Sequence, residues 1–106
     1  MSTIEDLTPE QVAARLKTGA AVLVDVREPA EFEAEHIEGA ALAPLSTFDP
    51  NALPKNVPLI FNCGIGKRSA MAVARAQQAG YAHKAHLAGG LAAWKAAGLP
   101  TVIGKK

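Results

Sequence analysis

The sequence predicts an α/β fold, with a parallel sheet and helices on both of its faces. Three observations carry this. Apolar, β-branched runs of four to six residues alternate with Ala-rich stretches. The clearest runs are nearly continuous in hydrophobicity, as strands buried on both faces are. The junctions carry the Thr, Pro and Gly signals that start and stop helices. Strands alternating with helices imply βα units, and such units build parallel sheets.

Each element has its own warrant. In Leu7-Thr8-Pro9-Glu10-Gln11-Val12, Thr8 is placed as a helix N-cap, Pro9 as the first helical residue and Gln11 three after the cap. That is a capping box, with Leu7 and Val12 as a hydrophobic staple. Val12 and Leu16 share a face, and Gly19 ends the helix. The apolar run over 21–26 reads as a buried strand. Pro29 opens a short acidic helix over 29–35. The run GAALAPL over 39–45 predicts a further strand. Pro44, Pro50, Pro54 and Pro58 make 44–58 irregular, with room for one short helix. Residues 57–61 predict a strand, and 67–79 a helix closed by Gly80. Ala70, Val73, Ala74 and Gln77 are expected to form its sheet-facing side. A short strand over 84–87 and a helix over 91–97 follow, with Leu91 and Trp94 in the core and Gly98 and Pro100 as terminators.

A chain of 106 residues suits one domain, here 1–106 with a core over about 5–100. The formal net charge of +1 provides no field for nucleic acid or an anionic membrane. The single cysteine forms no internal disulfide, which points to a reducing compartment. The polar, acidic first residues do not read as a secretory leader. No apolar run approaches the ~18 residues of a membrane span. The expected location is the cytoplasm.

That one cysteine lies in FNCGIGKRS, residues 61–69, between a strand and a helix. In open parallel sheets, ligands gather at the carboxyl ends of strands, where Cys63 falls. Four readings compete. Gly64-Ile65-Gly66-Lys67-Arg68-Ser69 approaches a nucleotide-binding glycine pattern, but the acid expected roughly 20 residues on is missing, and Arg68 follows Gly66-Lys67 where a P-loop needs Ser or Thr. A cysteine phosphatase loop needs five residues between Cys and Arg; here four intervene before Arg68, and a shorter ring suits a smaller atom. Sulfur transfer through a persulfide needs a lowered thiol pKa, inward-facing amides and cations for an anionic donor. A helix N-terminus, the glycines, and Lys67 with Arg68 supply these three. The plain alternative is an inert buried cysteine, the commoner fate of a lone thiol.

At these residues the chain resembles the rhodanese domain, in its single-domain sulfurtransferase form. The resemblance spans about residues 5–100. LVDVREPAEFEAEHIEGA (23–40) is similar to the first family signature, through Asp25, Arg27, Glu31, Phe32, His36, Ile37, Gly39 and Ala40. Pro44-Leu45 matches the strand end that follows. CGIGKRSA (63–70) is similar to the active-site loop, and LAGGLAAWKAAGLP (87–100) to the C-terminal signature, through Gly89, Gly90, Trp94, Gly98, Leu99 and Pro100. The resemblance implies a five-stranded parallel sheet and Cys63 as the persulfide-carrying nucleophile. It implies that amides from Gly64 through Ile65, Gly66, Lys67 and Arg68 to Ser69 cradle the sulfur. A small anionic donor such as thiosulfate would load Cys63. Cyanide, a thiol or an acceptor protein would unload it. No metal or organic cofactor is implied. Two departures stand out: Gly64 where a basic residue is common, and Glu38 where proline is common. A non-catalytic binding module and a phosphatase or arsenate-type enzyme are the competing functions.

The remaining polar residues have local readings. Asp25 and Arg27, at a buried strand end, are expected to hold neighbouring loops as an ion pair, with Glu31 as Arg27's partner four residues on. The competing role is to shape the active-site rim. His36 either caps the acidic helix or titrates near the site, and capping is the commoner outcome. His83, His86 and Cys63 lack the tight spacing of a zinc site. Lys105-Lys106 reads as a frayed tail.

Overall fold

The computed structural model describes residues 4–54 and 56–104. Five strands form one sheet in the order β1-β5-β4-β2-β3, every pair parallel. In chain order the elements are β1 (Glu5–Leu7), α1 (Pro9–Lys17), β2 (Val22–Asp25), α2 (Pro29–Ala34), β3 (Ala41–Leu42), β4 (Leu59–Asn62), α3 (Lys67–Gln78), β5 (Ala85–Leu87) and α4 (Gly90–Ala96). Two 3₁₀ turns, Leu45–Thr47 and Pro50–Ala52, fill the proline-rich stretch where one short helix was expected.

The capping box of α1 forms as its sequence predicts. Thr8 Oγ1 accepts the Gln11 N–H at 3.1 Å, and Gln11 Oε1 accepts the Thr8 N–H at 2.9 Å. The strand expected over 39–45 shrinks to Ala41–Leu42; Ala43 N–H still reaches Asp25 O, but Leu45 N–H moves to Val26 O as the chain enters a 3₁₀ turn. Lys105 and Lys106 lie outside the described residues.

The two faces of the sheet carry two cores. Leu7, Leu23, Ile60 and Leu87 pack on one face with Val12 of α1 and Leu91 and Trp94 of α4. Val24, Phe61 and Cys63 pack on the other with Ala72, Val73 and Ala76 of α3. The indole N–H of Trp94 donates to Pro100 O at 2.8 Å, so the ring is buried without an unpaired donor. The buried face of α3 is therefore Ser69, Ala72, Val73 and Ala76, and the expected face of Ala70, Val73, Ala74 and Gln77 is wrong except at Val73. Alanine at alternate positions 70, 72, 74 and 76 gives the sequence no apolar asymmetry to read. Ser69, on the buried face, lies beside Cys63.

This topology places the site. From β2 the chain leads outward to β3, and from β4 it leads the other way to β5. The loops after β2 and β4 thus diverge at the centre of the sheet, leaving a crevice at their carboxyl ends. Cys63 directly follows β4, and Arg27 follows β2 by two residues.

Candidate active site

Cys63 sits buried at the base of a loop that turns into α3. Its Sγ receives two backbone donors, Gly66 N–H at 3.1 Å and Ser69 N–H at 3.3 Å. Ser69 Oγ lies 3.6 Å from the same sulfur. Burial pushes the thiol pKa up, but the Ser69 hydroxyl and the amides of Ser69, Gly66 and Ile65 outweigh it, and the thiol ends below its usual value. The donors favour the thiolate because each points a partial positive charge at it. Of the six loop residues expected to act, Gly66 and Ser69 bond the sulfur directly. Ile65 is a loop tip, 72% exposed. The Lys67 side chain starts α3 on the exposed side.

Glycine at 66 and 90 allows this geometry. Gly66 is the N-cap of α3 in the left-handed region, φ +101°. Gly90 opens α4 at φ +61°, and a Cβ there would stand 2.4 Å from Cys63 O and 2.6 Å from the Gly64 carbonyl carbon. With no side chain in the way, α4 docks end-on against the loop. Leu91 N–H donates to Cys63 O at 2.8 Å and Ala92 N–H to Gly64 O at 3.0 Å. The loop carbonyls are held from behind, so its amides are left turned toward the sulfur.

The charged residues pair as expected at Asp25 and Arg27 but not at Glu31. Arg27 and Asp25 form a buried ion pair, Nη2–Oδ2 2.9 Å, and Arg27 also donates to Glu35 O at 2.7 Å and Glu31 O at 3.4 Å. The loop after β2 is thereby tied to α2. The Glu31 carboxylate does not take Arg27; it takes Arg68, at 2.7 and 3.0 Å to the two terminal nitrogens. Hydrogen bonding to Arg68, above all, holds the Glu31 carboxyl down at about 2. Arg68 therefore reaches the site already half-neutralised by a fork-to-fork pair. A Cβ at Gly64 would lie 3.3 Å from Arg68 Nη2. The guanidinium thus overlies Gly64, where a basic side chain was expected, and comes from five positions along the chain from Cys63.

The three histidines go to three places. His36 Nδ1 lies 2.8 Å from Phe32 O near the end of α2, its ring stacked on Phe32 at 3.7 Å. His83 packs against Tyr81 and Phe61 with centroids 5.8 and 6.5 Å away, and burial lowers its pKa. It lines a cavity of about 650 Å³ at the amino ends of the strands, the opposite end of the sheet from Cys63. His86, set beside Cys63 in the sequence only as part of a loose metal set, reaches the loop through Ser69 instead: Nδ1 is 2.8 Å from Ser69 Oγ, and Nε2 is 2.7 Å from Asp6 Oδ1. Asp6 lies on β1, for which the sequence pattern gave no strand. Asn62 is also unforeseen. It is fully buried beside Cys63, and no partner for its side-chain amide is present among the described residues.

Comparison with known proteins decides the family. The rhodanese-like domain matches residues 8–97. The chain is a rhodanese-family member. Among curated relatives of this rhodanese, an uncharacterized Synechocystis protein is 42% identical over 98 residues, covering 91% of this chain and 55% of that one. The thiosulfate sulfurtransferase GlpE of Ectopseudomonas mendocina is 33% identical over 99 residues, 91% of this chain and 89% of that one. The crystal structure of a rhodanese-related protein from Thermoplasma volcanium superposes with a TM-score of 0.83 at 27% identity, over 92% of this chain and 97% of that one. The chain spans about half or less of the length of the first curated relatives it matches. The five-stranded parallel sheet is the one these rhodanese structures share. No helix among the described residues is long and apolar enough to cross a membrane.

Proposed function

We propose that this rhodanese is a sulfurtransferase that carries a sulfane sulfur as a persulfide on Cys63. One observation carries the reading most: the only cysteine sits at the N-terminus of α3 with two amides and a hydroxyl on its sulfur. The thiolate attacks the outer sulfur of thiosulfate or a similar anionic donor; a new S–S bond forms, and the donor's S–S bond breaks, releasing sulfite with the electron pair. The acceptor, which is cyanide, a thiol or a protein thiol, then takes the outer sulfur and returns the pair to Cys63. Gly66 and Ser69 donate to the reacting sulfur. Lys67 draws in the anionic donor, assisted by the Glu31-paired Arg68. Asp25 and Arg27 hold the rim by tying the loop after β2 to α2. A single thiol with no partner in the chain suits the reducing cytoplasm. The relatives named as sulfurtransferases support the same assignment.

Incubation with thiosulfate followed by intact mass tests this. The native protein gains one sulfur atom, and Cys63→Ser gains none. Failure to take up sulfur from thiosulfate or any other persulfide donor overturns the proposal. Phosphatase chemistry is disfavoured by the four-residue spacing to Arg68 and by the commitment of both terminal guanidinium nitrogens to Glu31.

A further inference from the structure

Four side chains from three distant parts of the sequence form a continuous hydrogen-bonded line. Asp6 Oδ1 is 2.7 Å from His86 Nε2, His86 Nδ1 is 2.8 Å from Ser69 Oγ, and Ser69 Oγ is 3.6 Å from Cys63 Sγ. The line runs from surface to core: the Asp6 side chain is 71% exposed and that of His86 7%. The register of β1 on β5 creates its outer half, since Asp6 stands directly opposite His86 in the ladder.

The direction of the bonds follows from the inventory of donors. A carboxylate only accepts, so Nε2 carries the hydrogen that Asp6 receives. In the neutral imidazole this leaves Nδ1 a lone pair. The single Ser69 hydroxyl proton then has two acceptors in reach, His86 Nδ1 at 2.8 Å and Gly66 O at 3.1 Å. With that proton on the nearer imidazole, Ser69 Oγ turns a lone pair to the Cys63 S–H. We propose that Asp6, His86 and Ser69 form a proton relay that takes the thiol proton of Cys63 and holds it on His86. This rests on the reading of Cys63 as the sulfur carrier.

The step balances without an outside reagent. The Cys63 S–H bond breaks and its proton passes to Ser69 Oγ. The Ser69 O–H proton passes to His86 Nδ1. A neutral thiol and a neutral imidazole become a thiolate and an imidazolium, with Asp6 beside the new positive charge. The two inner bonds reverse while Nε2–H keeps donating to Asp6: Nδ1–H now donates to Ser69, and Ser69 O–H donates to the thiolate. When a donor loads the sulfur, the imidazolium remains as counter-charge to the anionic persulfide. His86 acts through Ser69, so it is a positioning residue for the proton, and Cys63 and Ser69 are the groups at the reacting atom. The groups facing His86 are Asp6 from β1, Ser69 from α3 and the uncharged Phe61 opposite it on β4. Lys67 and Arg68 lie on the first turn of α3, Glu5 directly precedes Asp6 on β1, and Lys84 lies two residues before His86, just ahead of β5.

The test is the rate of Cys63 alkylation by iodoacetamide against pH, on the full chain. Asp6→Asn keeps the strand and the shape of the exposed side chain but removes the charge; His86→Gln removes the base. Both move the midpoint of the profile to higher pH and slow alkylation at pH 7 by roughly tenfold, the effect of about one unit in thiol acidity. A folded Asp6→Asn whose profile overlays that of the native protein overturns the relay. Sulfur loading, read by mass in the same samples, separates the two ideas. Loading with overlaid profiles sinks the relay alone. Shifted profiles with no sulfur taken from any donor support the relay and sink sulfur transfer.

Discussion

Helix α1 begins at Thr8, whose side chain takes the Gln11 N–H while Gln11 takes the Thr8 N–H. Helix α3 begins at Gly66, which has no side chain, and its Ser69 N–H goes to Cys63 Sγ. The same contrast separates α2 from α4. Glu31 folds back onto the Glu28 N–H at 3.0 Å to close the start of α2, whereas the first amides of α4 donate to the carbonyls of the cysteine loop. Every helix leaves its first N–H groups without intrahelical partners. Where a side chain in the same segment satisfies them, the helix end is a structural device with nothing left to offer. Where glycine starts the helix, those donors belong to whatever is brought against them. In this rhodanese that is the Cys63 sulfur and the backbone that frames it.

Cutting the open end of α3 off from its sulfur has the largest expected effect. Cys63→Ser should reduce sulfur transfer by about 10⁴-fold or more, in line with loss of a nucleophile. Steady-state assay with thiosulfate and cyanide measures this, and near-native turnover would refute Cys63 as carrier. Gly90→Ala strikes the other open end. The new Cβ falls 2.4 Å from Cys63 O at a φ of +61°, so the loop must move. Chemical denaturation should show a loss of about 3 kcal/mol, with persulfide yield falling too. A variant as stable and active as the native chain would show that α4 does not brace the loop.

The closed ends should respond in stability alone. Thr8→Ala removes the cap of α1 and should cost about 1 kcal/mol by urea unfolding, leaving persulfide formation unchanged. A drop in activity matching Gly90→Ala would erase the distinction between the two kinds of helix end. The smallest effect is expected at Glu31, which belongs to both. Its carboxyl is held at about 2, below the ordinary 4.5, so its contribution to stability is present above pH 4.5 and is lost as pH falls from there through about 2. The pair is partly exposed, and after screening by solvent it is worth under about 1 kcal/mol. Glu31→Gln should flatten the acid limb of stability by that amount. It should also free Arg68 and lower the KM for thiosulfate while leaving a neutral persulfide donor unaffected. An equal change for both donors would remove Arg68 from anion recognition.

The amino-acid sequence by itself determined what is written in neighbouring residues. Thr8-Pro9 with Gln11 specifies a capped helix, because its partners lie within one turn. Residues 21–26 specify a strand buried on both faces, because only a covered parallel strand tolerates so continuous an apolar run. Cys63 among glycines at a strand end marks the candidate centre before any coordinates are known. The tertiary structure decided what depends on pairing across distance. β1 has only three residues, too few for a periodic signal, and exists because β5 offers it an edge. Arg68 could have faced the donor, yet Glu31 of α2 claims it. The buried face of α3 was undecidable from a run of alternating alanines and was settled by its packing on Val24, Phe61 and Cys63. The His86 connection lies 17 residues from Ser69 and 80 from Asp6. No local pattern encodes such a line, because sequence periodicity reports which face a residue takes on its own element, while only strand order and register decide which residues of other elements stand opposite it.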